Sequence, residues 1–103
     1  MAYNPTVDAF SRGVQHASFV ISLGYLLLPQ NDRLVRLRWL HDELQVRFAQ
    51  HLAITTNHHG EPLRRAICSS YLDGLITILR LTFDQLCQTL DHEAADVNLF
   101  PRH

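Results

Sequence analysis

Lysine is missing from this chain, and all nine of its basic residues are arginine. A chain without lysine offers no side-chain amine for conjugation, and arginine is the better interface cation because its planar fork is pre-organised. A GC-rich genome biases codons the same way and is the plainer account. Glycine and proline are scarce, four of each, which excludes a fold of many short, tightly turned segments and favours a few long ones. There are two cysteines, Cys68 and Cys87, nineteen positions apart. That excludes a disulfide framework or a zinc knuckle and suits buried free thiols in a reducing compartment.

Other absences narrow the compartment and the partners. The opening MAYNPTVDAF has no basic segment followed by an apolar run, so no secretory leader is expected. The longest charge-free apolar stretch, Val14–Leu28, falls short of the ~20 residues that span a bilayer. A cytoplasmic location without membrane attachment is therefore expected. A net charge of −1 gives no general attraction to phosphate backbones or anionic lipid. What remains is 47% apolar and 18% charged, a globular composition sized for one domain over residues 1–103.

The apolar residues repeat with helical spacing. Val7, Phe10, Val14, Ala17, Ile21, Gly24 and Leu28 alternate at intervals of three and four, with Asn4 or Thr6 to cap, Pro5 in the first turn and Pro29 to stop. Ala9, Gly13 and Ala17 leave a shallow strip on which another helix could pack closely. A polar turn, Gln30-Asn31-Asp32, supplies a cap from Asn31 or Asp32 for the second helix. Its inward face reads Leu34, Leu37, Leu40 or His41, Leu44, Phe48, and His51 or Leu52. Arg33, Arg36, Asp42, Glu43, Arg47 and Gln50 are expected outside, with Glu43 and Arg47 in the favourable order for a surface pair. Asn57-His58-His59-Gly60 interrupts the pattern and Glu61-Pro62 restarts it. The third helix carries two adjacent seams, one through Leu72, Leu75, Leu79, Phe83 or Thr82, Leu86 and Leu90, the other through Ile67, Tyr71, Gly74, Ile78 and Leu81. Gly74 marks a bend or a close contact. Beyond Asp91, the segment up to Val97, Leu99 and Phe100 reads as a tail or short extra helix.

The expected fold is all-α: three long antiparallel helices at about 5–28, 32–57 and 62–91, with a short C-terminal tail or helix. Helices one and three are apolar on more faces than one three-helix core can cover. A dimeric bundle that pools them is expected.

No chemical motif stands out. The seven histidines show no pair four apart on one helix face and no Glu-x-x-His, so no metal or cofactor is expected. Cys68, Ser69, Ser70 and Cys87 lack a glycine elbow or a neighbouring base. Arg47-Phe-Ala-Gln-His51 resembles the Arg-x-His signature of HEPN-type ribonucleases, but three residues lie between Arg and His where that family has four to six. Its function is not carried over.

The segment Asp8–Gly24 (DAFSRGVQHASFVISLG) resembles the opening of small helical proteins from pseudomonads, whose early helix reads roughly Ala-Leu-x-Gln-Ala-Ser-x-Leu-Leu. The matching core here is Val14-Gln15-His16-Ala17-Ser18-Phe19-Val20-Ile21. In size and texture the chain is similar to small all-helical anti-activators of LuxR-type quorum-sensing transcription factors. The resemblance spans under a fifth of the chain. It implies a regulator that docks on a transcription factor through apolar helix contacts.

The expected function is thus non-enzymatic: a helical protein–protein interaction module, homodimeric, that binds and inhibits another protein such as a transcription factor. The candidate surface is Phe19, Leu23, Leu26 and Leu27 on the first helix, or Leu75, Leu79 and Phe83 on the third, with Tyr25, Tyr71 and Arg80 at the rim. A small nucleic-acid-associated regulator would instead place Arg33, Arg36 and Arg38 on phosphates. An acid–base or metal enzyme would need His41, His51 and Glu43 together.

Overall fold

The computed structural model describes residues 3–29, 32–56 and 61–99, with side chains through 93. Among the described residues three helices run in order: α1 Pro5–Leu27, α2 Arg33–Thr56 and α3 Pro62–Leu99. No strand occurs among the described residues. The chain is all-α.

α1 and α2 start where their cap chemistry dictates. The Asn4 side chain accepts from the backbone N–H groups of Thr6 and Val7 at 3.1 and 3.4 Å, with Pro5 in the first turn. Asp32 does the same for α2, accepting from the Val35 N–H at 3.1 Å. The alternative cap, Asn31, lies outside the described residues, as does the 57–60 turn with His58 and His59. Leu28 adopts an extended backbone and donates to the Gly24 carbonyl, closing α1 before Pro29.

α3 runs to Leu99 and does not stop near Asp91. The sequence offers a tail or a short extra helix beyond Asp91, and the segment instead continues α3. No glycine or proline interrupts the segment before Pro101, and Glu and Ala are strong helix formers. Glu93 is also held by an ion pair with Arg33 at the start of α2. Phe100 and Pro101 lie outside the described residues.

α3 is the central element. α1 packs along one side of it and α2 along another, while α1 and α2 meet only marginally. The core is Ala17, Leu40, Leu44, Leu72, Leu75, Ile76 and Leu79, flanked by Ile21, Trp39, Ile54, Tyr71 and Ile78. The small-residue strip of α1 lies against α3: Ala9, Gly13 and Ala17 are all buried. A Cβ on Gly13 would overlap the Tyr71 carbonyl oxygen, and one on Gly74 would overlap that of Phe10. The two backbones approach closely enough that only glycine fits on either side. Gly24 makes room for the Trp39 indole, which closes α1 against α2 at that end.

α2 does not present the face its pattern suggested. Leu40 and Leu44 are buried, but Leu34, Phe48 and Leu52 are exposed at 65%, 43% and 62%. Arg36 and Arg47, expected outside, are half-buried. Because α2 packs chiefly on α3, only a narrow stripe is covered, and the aliphatic stems of two arginines complete that stripe. The Glu43–Arg47 pair, 3.5 Å apart, is therefore partly shielded and does not lie on the open surface.

Candidate functional site

Phe19, Leu23, Leu26 and Leu27 occupy positions i, i+4, i+7 and i+8 of α1, a spacing that aligns side chains as anchors along a helix. They are exposed at 61%, 44%, 78% and 85%. The opposite side of α1, which carries the small residues, is the one that meets α3. The two serines beside these anchors turn inward on their own backbone: Ser18 donates to the Val14 carbonyl at 3.2 Å and Ser22 to that of Ser18 at 2.9 Å. Their hydroxyls are satisfied locally, which lowers the polarity the surface presents.

The other candidate surface is internal. Leu75 and Leu79 are fully buried, the heart of the core, and Phe83 is half-buried against His41 with ring centroids 6.2 Å apart. Among Tyr71, Leu75, Leu79, Arg80 and Phe83, the α3 members of the candidate surface, Arg80 alone is exposed. The two rim tyrosines also have work within the chain. Tyr25 lies half-buried with the Arg36 guanidinium 4.4 Å from its ring centroid and Trp39 edge-on at 6.4 Å. Burial pushes its phenol pKa up, and the nearby Arg36 charge partly offsets that. Tyr71 hydrogen-bonds His16 Nδ1 through its hydroxyl.

The sequence pattern gave no sign of the apolar strip on α2, because those leucines and Phe48 read as core. Exposed Leu34, Phe48 and Leu52 extend the uncovered apolar surface to a second helix. A distinguishing signal was present in the arginines, whose spacing with Leu40 and Leu44 continues one stripe.

The arginine cluster is largely engaged. Arg33 pairs with Glu93, Arg36 stacks on Tyr25, and Arg38 is left exposed. Nor do His41, His51 and Glu43 converge. His41 faces Phe83, Glu43 binds Arg47, and His51 reaches across to α3. There its Nε2 lies 2.8 Å from Asp73 Oδ1 and 3.1 Å from Ser69 Oγ. Those three residue types are the ones a hydrolytic triad uses, but a triad needs the acid and the hydroxyl on different ring nitrogens. With both on Nε2, the nitrogen that donates to Asp73 cannot accept the Ser69 proton. The arrangement ties α2 to α3. Among the described residues no three His, Cys, Asp or Glu side chains gather as a metal would require.

α3 has a further property. The stretch Pro62–Glu93 is long and apolar enough, by length and composition, to cross a membrane: an 18-residue window within it has mean hydropathy 1.3, and 22% of that window is buried. The most membrane-like helix is therefore α3 and not the Val14–Leu28 stretch. Core helices of soluble proteins meet the same criterion. Here the apolar positions Leu72, Leu75, Ile76 and Leu79 are already covered by the other two helices.

The accessible surface is 7655 Å². A compact monomer of this 11.9 kDa mass exposes about 6,000 Å². The surplus is about twice the ~800 Å² that one partner contributes to a standard protein interface. No protein family, curated protein or solved structure matches the chain.

Proposed function

We propose that this chain is a non-enzymatic helical interaction module: a cytoplasmic homodimer that binds another protein, such as a transcription factor, stoichiometrically and inhibits it. One observation carries the reading. The anchors Phe19, Leu23, Leu26 and Leu27 stand exposed on one element, in the spacing by which an amphipathic helix fills a groove. The surplus surface supports it, since it is large enough for both self-association and a partner. The cytoplasmic part rests on α3 serving as the packing centre of the other helices and on Asp73 and Arg80 within its apolar span, residues expensive to place in hydrocarbon. Phosphate binding by the Arg33, Arg36 and Arg38 cluster gains no such support, because two of the three are held within the chain.

The test is Leu26→Glu. Leu26 is 78% exposed in the single chain, so helical content by circular dichroism should stay nearly unchanged. Light scattering should move from dimer to monomer, and a partner recovered stoichiometrically from nuclease-treated lysate by the parent chain should be lost. Equal dimerisation and equal recovery by the variant would remove the α1 face as the binding surface.

A further inference from the structure

α1 and α2 both lean on α3 and meet each other only where Gly24 and Tyr25 of α1 contact Trp39 and Arg36 of α2, which closes the angle between them at that end. At the other end they diverge, opening a cleft of about 720 Å³. Its floor is Ile67, Cys68, Tyr71 and Leu72 of α3, and its apolar walls are Ala9 of α1 with Ala53 and Ile54 of α2. The volume is that of a small-molecule site, and the lining has the composition of one: apolar walls and a few polar groups at the mouth. Small alanines on both walls keep it open. The polar mouth is Tyr3, Asp8, Arg12 and Gln50.

The charges at the mouth select the ligand class. Arg12 Nε lies 3.0 Å from Asp8 Oδ2, and the Tyr3 hydroxyl donates to the same oxygen at 3.2 Å. The two charged groups of the lining pair with each other, so the mouth carries no net charge with which to select an ionised ligand head. A neutral head would find hydrogen-bonding groups of both kinds, including the Gln50 amide. We infer that this cleft binds an uncharged, mostly apolar small molecule bearing one hydrogen-bonding group. The site is separate from the α1 face and stands or falls independently of it.

The uncharged dye N-phenyl-1-naphthylamine is the probe. Its fluorescence should rise saturably with one site per chain. Ala53→Trp fills the cleft from an exposed wall position and should weaken binding by about tenfold or more. Cys68 is exposed on the floor, so bound dye should slow its labelling by a thiol reagent in the unmodified chain, with half-buried Cys87 as the internal reference. Decanol should displace the dye, whereas decanoate and decylammonium should not. Dye binding abolished by Leu26→Glu but untouched by Ala53→Trp, with Cys68 unprotected, would place the dye on the α1 face and overturn the site. Equal displacement by all three competitors would overturn the uncharged class.

Discussion

Gly13 and Gly74 face each other's helix backbones, so each controls how closely α1 and α3 approach. Replacing a helical glycine with alanine in open surroundings stabilises by about 1 kcal/mol. Here the added methyl meets a carbonyl oxygen of the opposite backbone, which cannot rotate away as a side chain can. Gly13→Ala and Gly74→Ala are each expected to destabilise by about 1–3 kcal/mol in urea unfolding, the usual range for overpacking. Gly24→Ala meets only the tip of the Trp39 ring and should cost less. The small-residue strip was legible in the sequence because alanine and glycine four apart have few other uses on an apolar helix face. That Gly74 marks a close contact and not a bend was not legible, because nothing local says which helix lies opposite. Tyr25 gives a second residue-scale test. Its phenol is raised by burial, so above pH ~10 the unfolded chain loses a proton that the folded chain retains. Its contribution is complete below that pH and is lost as pH rises through the folded value. Tyr25→Phe keeps the ring over Arg36 and should flatten the alkaline fall in stability, measured as melting temperature between pH 9 and 11.

Between elements, the helix boundaries were legible because caps and breakers are local: Asn4 with Pro5, Asp32, and Pro62 all mark starts. The end of α3 was harder to read, since its acidic segment opposes the helix dipole and the ion pair to Arg33 comes from a different helix. The face of α2 was misread for a similar reason. Hydrophobic periodicity finds an apolar stripe, but the covered stripe depends on the neighbour, and arginine stems can fill part of it. The same ambiguity left two candidate surfaces open, and burial separates them. Leu79→Ala should cost about 2–5 kcal/mol, the range for emptying a core leucine site. Leu26→Ala should stay within about 0.5 kcal/mol as an exposed substitution. Urea unfolding at micromolar or lower concentration, where association does not contribute, reads both. Similar losses at the two sites would mean that Leu26 is packed within the single chain.

At the scale of the molecule, shape decides how much surface is left for partners. A compact chain of this length has a radius of gyration of about 13 Å, whereas this one has 17.7 Å and extents of 65 × 29 × 26 Å. The elongation follows from the packing order. α3 spans the length alone, and each shorter helix covers one side of it without completing a ring. Such a rod cannot bury three apolar helices on itself, which is why the α1 anchors and the α2 strip remain open. Pairing through the α1 face sets two rods side by side, with centres separated by roughly one short axis, and predicts a dimer radius of gyration of about 22 Å. Pairing through the protruding end of α3 would place the centres about one long axis apart and give about 37 Å. Small-angle scattering across a dilution series separates these outcomes. A value near 22 Å that falls toward 17.7 Å on dilution, and that Leu26→Glu holds at the lower figure throughout, is the expected result. An extended dimer indifferent to Leu26→Glu would move self-association to the end of α3 and leave the α1 face free for a different protein.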